Sequence, residues 1–175
     1  MHKPFCVWFT GLPCAGKSTL AGELFRQLSI RQIRAEVIDG DTVRSTFSKE
    51  LSFTKIDREE NNIRIARQAL LHIDNGTAVI CATISPYESI RRRLRDILKD
   101  SLILVFVNTP LETCMRRDVK GLYSRAVAGE IRNFTGVSDP YEIPQNADII
   151  ITEPMASAEA IATVLNHLGK NNYLP

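Results

Sequence analysis

The 175-residue sequence has little net charge, no paired cysteines and no long apolar run. Lysine plus arginine number 22 against 20 for aspartate plus glutamate, so the formal charge of +2 does not favour bulk binding of nucleic acid. No apolar stretch approaches the roughly 18 residues that a membrane-spanning helix needs. The first apolar run leaves no room for a signal peptide before it. We therefore expect a cytoplasmic protein that binds neither nucleic acid nor a membrane.

The four cysteines show neither the CxxC spacing nor the neighbouring histidine pair of a zinc site. We expect four reduced thiols, most of them small core side chains. Cys14 differs because it lies in a glycine-rich loop, where a redox role is the less favoured alternative to a bystander. The other three are Cys6, Cys81 and Cys114.

Short apolar runs alternate with longer amphipathic stretches along the chain, which is the pattern of βα units around a parallel sheet. An apolar fraction of 44% suits one continuous core, so we expect a single α/β domain over residues 1–175. Strands buried on both faces are predicted at residues 5–10, 35–39, 78–83, 102–108 and 147–151. Helices are predicted at residues 17–28, 57–74, 85–99, 111–117 and 157–168.

Two stretches do not fit this alternation. Residues 45–56 are mixed and loop-like, and residues 119–145 carry scattered glycine, proline, basic and aromatic residues. Long irregular segments in a compact domain are more often functional lids than spacers. We therefore predict a mobile lid at about residues 117–144.

The most specific local pattern is a glycine-rich run between the first predicted strand and the first predicted helix. Its spacing matches the Walker A motif, in which backbone N–H groups and the helix N-terminus face the phosphates of ATP. Lys17 would bridge the β- and γ-phosphates, and the Ser18 hydroxyl would ligate Mg²⁺. A plain glycine turn is the alternative, but it usually lacks the Lys-Ser pair. The predicted ATP-binding residues are Gly11, Leu12, Pro13, Cys14, Ala15, Gly16, Lys17, Ser18 and Thr19.

The loop alone does not name the group that receives the phosphate. The later predicted strands lack the NKxD sequence of a GTPase, and the small size favours a kinase of a small molecule. A P-loop binding module or an NTPase that drives a conformational change is the second candidate.

The second predicted strand ends in the run VIDGDTVR, which brings Asp39, Asp41 and Arg44 to the carboxyl edge of the sheet beside the loop. One carboxylate can orient Mg²⁺ or its waters, while the other accepts a proton from an attacking hydroxyl. The fourth predicted strand has no aspartate at its end, so Asp39 is the natural substitute for the usual magnesium-binding aspartate. Capping of the following helix is an alternative for either carboxylate and is compatible with catalysis.

Several separated runs resemble the adenylylsulfate kinase family, which converts adenosine 5'-phosphosulfate and ATP into 3'-phosphoadenosine 5'-phosphosulfate and ADP. The resemblance covers nearly the whole chain, through GLPCAGKST, DGDTVR, FTKIDREEN, ISPY and a long block at residues 109–144. It implies a three-layer P-loop NTPase-like fold, with a five-stranded, mostly parallel sheet, helices on both faces and a lid. It also implies ATP and Mg²⁺, and it allows a homodimer. The shortness leads us to expect a separate ATP sulfurylase as the source of the acceptor.

The resemblance assigns catalytic roles as well. Asp41 would be the base facing the ribose 3'-hydroxyl of the acceptor, and Asp39 would act through the magnesium shell. Lys120 would close over the transferring phosphoryl group and stabilise its charge. Arg117 would stack on the adenine of ATP, and Ser85 would reach the acceptor phosphate, although Ser85 equally suits a helix N-cap.

The acceptor site follows from the same resemblance. Phe53 and Phe134 resemble two rings that sandwich the acceptor adenine. Phe53 could instead belong to the core, whereas Phe134 lies in a polar, glycine-rich stretch where an aromatic ring has little core to join. Guanidinium groups match paired anionic oxygens, so arginines would bind the phosphosulfate. The remaining acceptor-binding residues are Arg44, Arg58, Asn61 and Ile84.

The sequence departs from the usual family pattern at three places. Ile63 stands where an arginine is usual, and Glu88 replaces the arginine that usually follows the ISPY run. Pro13 and Cys14 replace commoner serine and glycine without obstructing the N–H groups of the loop. The first two changes keep a related nucleotide acceptor as an alternative to adenosine 5'-phosphosulfate.

Overall fold

The sheet has five strands, all parallel, in the spatial order β2-β3-β1-β4-β5. These features come from a computed structural model that describes residues 3–46 and 48–174. The strands are β1 Cys6–Thr10, β2 Ala35–Asp39, β3 Ala78–Ala82, β4 Leu102–Asn108 and β5 Ile149–Thr152. The helices are α1 Lys17–Ile30, α2 Gly40–Thr46, α3 Lys55–Asp74, α4 Glu88–Leu98, α5 Leu111–Arg117, α6 Leu122–Val127 and α7 Ser157–Lys170, with a 3-10 turn at Lys99–Ser101.

Helices cover both faces of this sheet, and the alternation of side chains along β1 shows why. Val7 and Phe9 point into one core with the apolar faces of α1 and α7, while Cys6 and Trp8 point into a second core with α3 and α4. All four side chains are fully buried. The predicted α/β fold with three layers is confirmed, and every strand pair among the described residues is parallel.

The prediction that every strand is buried on both faces is wrong for the two edge strands. Glu36 and Val37 of β2 are exposed, and the side chain of Ile150 in β5 is 53% exposed. Each edge strand pairs with only one neighbour, so part of its surface faces solvent even in a sheet flanked by helices.

Helix α6 lies within residues 119–145, which were predicted to be irregular, and α2 has no counterpart among the predicted helix ranges. An aspartate carboxylate binds N–H groups in the first turn of each helix. The Asp39 carboxylate accepts hydrogen bonds from the first N–H groups of α2, and Asp118 accepts from the N–H groups of Tyr123 and Ser124 in α6. The helix predicted at residues 85–99 begins later, at Glu88. Ser85 has a left-handed φ of 44°, and a residue before proline disfavours the helical conformation.

The strand order fixes where a ligand can bind. Because all five strands are parallel, their carboxyl ends lie at one edge of the sheet, with β1 in the middle. The glycine-rich loop follows β1, Asp39 ends β2 with Asp41 just beyond it, and Glu153 follows β5. Among the described residues, no helix is both long and apolar enough to cross a membrane.

Candidate active site

A cavity of about 1190 Å³ opens along the carboxyl edge of the sheet. Its walls come from the segments that follow all five strands and from residues 117–135 of the predicted lid. Gly11 and Leu12 are the predicted site residues that do not line it. The predicted site residues that do are Pro13, Cys14, Ala15, Gly16, Lys17, Ser18, Thr19, Asp39, Asp41, Arg44, Phe53, Arg58, Asn61, Ile84, Ser85, Arg117, Lys120 and Phe134.

The glycine-rich loop is pressed against the neighbouring strand β4. A Cβ atom on Gly11 would lie 2.6 Å from the carbonyl oxygen of Val107, so only glycine fits there. Gly16 and Cys14 both take left-handed φ values, of 103° and 60°. A cysteine adopts that conformation less easily than the commoner glycine.

Lys17 lies almost entirely inside the loop, with 9% of its surface exposed. Its ammonium group donates to the carbonyl oxygens of Gly11, at 3.0 Å, and Leu12, at 2.7 Å. Burial lowers the pKa of Lys17 from 10.5 to about 8, because the charged form loses its hydration. The loop therefore holds a cation that a phosphate group would stabilise.

Ser18 and Asp39 meet at the start of α2. The Ser18 hydroxyl donates to Oδ2 of Asp39 at 2.8 Å, while Oδ1 of Asp39 accepts from the backbone N–H of Asp41 at 2.9 Å. Asp39 is thus the helix cap, and the capping alternative for Asp41 is wrong. A hydroxyl and a carboxylate beside a phosphate loop are donors of the kind that Mg²⁺ takes, since it usually completes its coordination with phosphate oxygens and water.

Asp41 and Lys120 form an ion pair across the mouth of the cavity. Lys120 Nζ lies 2.6 Å from Asp41 Oδ2, and the two side chains are 62% and 79% exposed. The Asp41 carboxylate raises the pKa of Lys120. The structure thus brings the two predicted catalytic groups into direct contact although 79 residues separate them in the chain.

Two guanidinium groups surround Phe53 on the β2 and β3 side of the cavity. The guanidinium carbons of Arg44 and Arg58 lie 4.6 Å and 5.5 Å from the centre of the Phe53 ring. Burial, together with the neighbouring Arg58, lowers the pKa of Arg44. The Phe53 side chain is 52% exposed, so the alternative that it belongs to the core is wrong. The arrangement is an open aromatic face beside two cations.

Arg58 also joins the two segments that carry the predicted aromatic rings. Its Nε donates to the Phe53 carbonyl at 3.0 Å, and its Nη2 donates to the carbonyl of Asn133. Phe134 is only 9% exposed and packs edge to face on Tyr123, with ring centres 5.0 Å apart. The expectation that Phe134 has little core to join is therefore wrong, although one side of it lines the cavity.

Two buried polar side chains on the acceptor side of the cavity, Asn61 and Ser85, differ in their hydrogen bonding. Asn61 is 4% exposed, and its Oδ1 has no hydrogen-bond partner among the described residues. The Ser85 hydroxyl instead accepts from Trp8 Nε1 at 2.9 Å and donates to Asn62 Oδ1 at 2.7 Å. Tyr87 occupies the N-cap position of α4, so the capping alternative for Ser85 is wrong. Sequence reasoning missed Trp8 and Asn62, because their spacing follows no motif.

The sequence model described as "Adenylylsulphate kinase" matches residues 3–152 of the chain. The chain belongs to the adenylylsulfate kinase family. It is 46% identical to the adenylyl-sulfate kinase of Halothermothrix orenii, over 99% of this chain and 94% of the relative. It is 48% identical to a probable adenylyl-sulfate kinase of Pseudomonas aeruginosa, over 94% of this chain and 77% of the relative.

A solved structure of the same family has a similar fold. The Mycobacterium tuberculosis APS kinase in complex with AMPPNP and APS superposes with a TM-score of 0.93 and 39% identity. The alignment covers 97% of this chain and 99% of that one. The P-loop fold and the kinase family predicted from the sequence are thus confirmed.

Two departures from the adenylylsulfate kinase pattern lie outside the cavity. Glu88 accepts from Nε of the buried Arg91 at 3.0 Å and from its Nη2 at 2.8 Å, while Nη1 of Arg91 donates to the carbonyl of Ser85 at 2.8 Å. Ile63 is 7% exposed on α3 and does not line the cavity. Glu88 therefore neutralises a buried arginine, and neither side chain changes the charge of the cavity wall.

Arg117 lies on the opposite side of the cavity from Phe53. Its Nη1 points at the loop carbonyls of Cys14 and Ala15, at 3.4 Å and 3.5 Å. Its Nη2 donates to Oε1 of Glu153 at 2.8 Å. Sequence reasoning did not select Glu153. The available signal was its place directly after β5, which corresponds to that of Asp39 at the end of β2.

Proposed function

We propose that the protein transfers the γ-phosphoryl group of ATP to the 3'-hydroxyl of adenosine 5'-phosphosulfate, giving 3'-phosphoadenosine 5'-phosphosulfate and ADP in sulfate activation. One observation carries the proposal: a single cavity joins a phosphate-binding loop to a second half with an exposed Phe53 ring and two guanidinium groups, with Asp41 between them. Membership of the adenylylsulfate kinase family supports it.

The loop would hold the donor. Lys17 would leave the carbonyls of the loop and bridge the β- and γ-phosphates, which restores the full charge that burial disfavours. Ser18 and Asp39 would hold Mg²⁺, which when bound neutralises charge on the phosphates. Arg117 would stack on the adenine of ATP from the β4 side.

The other half of the cavity would hold the acceptor. Asp41 would take the proton of the 3'-hydroxyl once Lys120 moves from the carboxylate to the transferring group. Arg44 and Arg58 would bind the phosphosulfate, and the unpartnered Oδ1 of the buried Asn61 supports a polar contact there. The Ser85 hydroxyl is engaged within the fold, which favours contact through the backbone of Ile84 and Ser85.

Several predictions from the sequence stay proposals. They are a single domain over residues 1–175, a mobile lid at about 117–144, a homodimer, a location in the cytoplasm and a separate ATP sulfurylase. The contacts of Asp41 with Lys120 and of Arg58 with Asn133 support a segment that covers the cavity, because both join residues 117–144 to its walls.

The acceptor is tested with a panel of hydroxyl compounds in an ADP-release assay with ATP and Mg²⁺. We expect kcat/KM for adenosine 5'-phosphosulfate to exceed those for adenosine, AMP and gluconate at least about a hundredfold, because adenosine lacks an anion for the two guanidinium groups, AMP lacks the sulfate, and gluconate lacks the adenine ring. Equal rates across the panel would contradict the proposed acceptor but not the proposed ATP site. Rapid ADP formation without any acceptor would favour a non-kinase NTPase.

Arg58→Met tests the acceptor half separately. The change removes one guanidinium and leaves the carbonyls of Phe53 and Asn133 without this hydrogen-bond donor. We therefore expect KM for adenosine 5'-phosphosulfate to rise about thirtyfold or more. KM for ATP should change less than about threefold, as read from initial rates with each substrate varied. Arg67→Met, at an exposed position of the same helix, is the matched control. Equal rises in both KM values would show a general loss of structure instead.

A further inference from the structure

The strand order divides the cavity into two halves around the glycine-rich loop. β2 and β3 lie on one side of β1, with Asp41 and Phe53 near their ends, and β4 and β5 lie on the other side. The γ-phosphate must face Asp41 for the proposed transfer, so the nucleoside of the donor extends in the opposite direction. The donor base is therefore expected beside the segments that follow β4 and β5.

Those segments form an apolar pocket with one ion pair at its rim. Ile151, Pro154 and Met155 line this part of the cavity, together with Arg117 and Glu153. A flat base can pack on such a surface, and a guanidinium that stacks on it adds a cation–π contact. The apolar side chains hold the base without distinguishing one purine from another.

Glu153 supplies the negative charge at this rim, where Thr109, Thr152 and Ser157 also line the cavity. Its Oε1 is bonded to Arg117 Nη2 at 2.8 Å, and its side chain is 29% exposed. Within residues 3–46 and 48–174, its Oε2 has no hydrogen-bond donor. Arg117 is held in turn by the carbonyls of Cys14 and Ala15, so the carboxylate is anchored to the phosphate loop. One acceptor oxygen therefore remains available at a fixed distance from the loop.

We propose that Glu153 selects the donor base, accepting a hydrogen bond from the 6-amino group of adenine and rejecting guanine. Adenine presents a donor at this position, and guanine presents a carbonyl oxygen. A carboxylate facing that oxygen leaves two acceptors opposed without a proton between them. Glu153 is thus a specificity-determining residue for the nucleotide. The inference rests on the proposed function for the identity of the donor site.

The test is the preference between ATP and GTP in Glu153→Gln. The amide keeps the size of the side chain and can donate to the guanine oxygen, so we expect the ratio of kcat/KM for ATP over GTP to fall at least about tenfold. Most of the fall should come from a gain with GTP. A role limited to holding Arg117 would weaken both nucleotides together and leave the ratio unchanged.

Glu23→Gln is the matched control, because Glu23 also pairs with an arginine, is also 29% exposed and lies outside the cavity. Its ratio should equal that of the unmodified protein. Binding of ADP and GDP by calorimetry gives the same comparison without an acceptor, so it separates this inference from the proposed function. An unchanged ADP to GDP preference in folded Glu153→Gln, with a normal melting temperature, overturns the proposal.

Discussion

Replacing Asp41 with asparagine should lower kcat for the transfer to adenosine 5'-phosphosulfate at least about a thousandfold, because the 3'-hydroxyl loses its proton acceptor. Nucleotide affinity should stay within about threefold, since the phosphate loop is separate from the side chain. The change keeps the shape of the group. The cap of α2 also survives, because Asp39 makes it and Asp41 contributes only its backbone N–H.

Single-turnover kinetics and calorimetry with ADP measure these two quantities separately. Asp96→Asn, on an exposed position of α4, controls for a general effect of removing a carboxylate. The same assay in Lys120→Met measures the combined loss of the ion pair and of the cation that would stabilise the transferring group. If Asp41→Asn kept full activity, Asp41 would lose the role of the base whatever the behaviour of Lys120.

Lys17→Met should have the second large effect, with kcat reduced about a thousandfold, because the transferring group loses a positioned cation. The same variant should raise the free energy of unfolding although it lowers kcat. Burial lowers the pKa of Lys17 to about 8 in the folded protein, whereas the unfolded chain keeps the ordinary 10.5. Between these two pH values the unfolded chain binds a proton that the folded protein has released.

The free energy of unfolding of the unmodified protein should therefore rise with pH through this window relative to Lys17→Met. The cost of charging Lys17 is fully present below about pH 8 and disappears above the unfolded pKa of 10.5, which corresponds to about 3 kcal/mol in total. Urea unfolding of both proteins at pH 7, 8.5 and 10 measures the difference. Lys170→Met, at an exposed end of α7, should show no such pH dependence. A constant difference for Lys17→Met would contradict the buried cation.

The features that were predicted well from the sequence depend on residues that are close together in the chain. The phosphate loop needs glycine at position 11 and a lysine and serine at the start of α1, and these residues belong to one short run. The bounds of α2 and the existence of α6 were not predicted, because both helices are short and depend on their aspartate hydrogen bonds as much as on apolar spacing. In the sequence, one aspartate before a short helix looks the same as an aspartate in a turn.

The predictions that failed concern burial set by distant partners. Phe134 looked solvated, but Tyr123 packs on it from α6, and α6 itself was not predicted. The helix N-cap alternative for Ser85 is also wrong, because its hydroxyl bonds to Trp8 and Asn62, which come from other elements. Exposure depends on which elements meet in the fold, and a single sequence carries that information only weakly.

The central place of β1 has a consequence for how the chain folds. Its two neighbours are β3 and β4, so Cys6 pairs with Val79 on one side and Leu102 on the other. During synthesis, the first strand leaves the ribosome long before either partner exists. Such distant pairings slow folding, since a long loop must close before any contact stabilises it. The phosphate loop can therefore acquire its final shape only after most of the chain has been made.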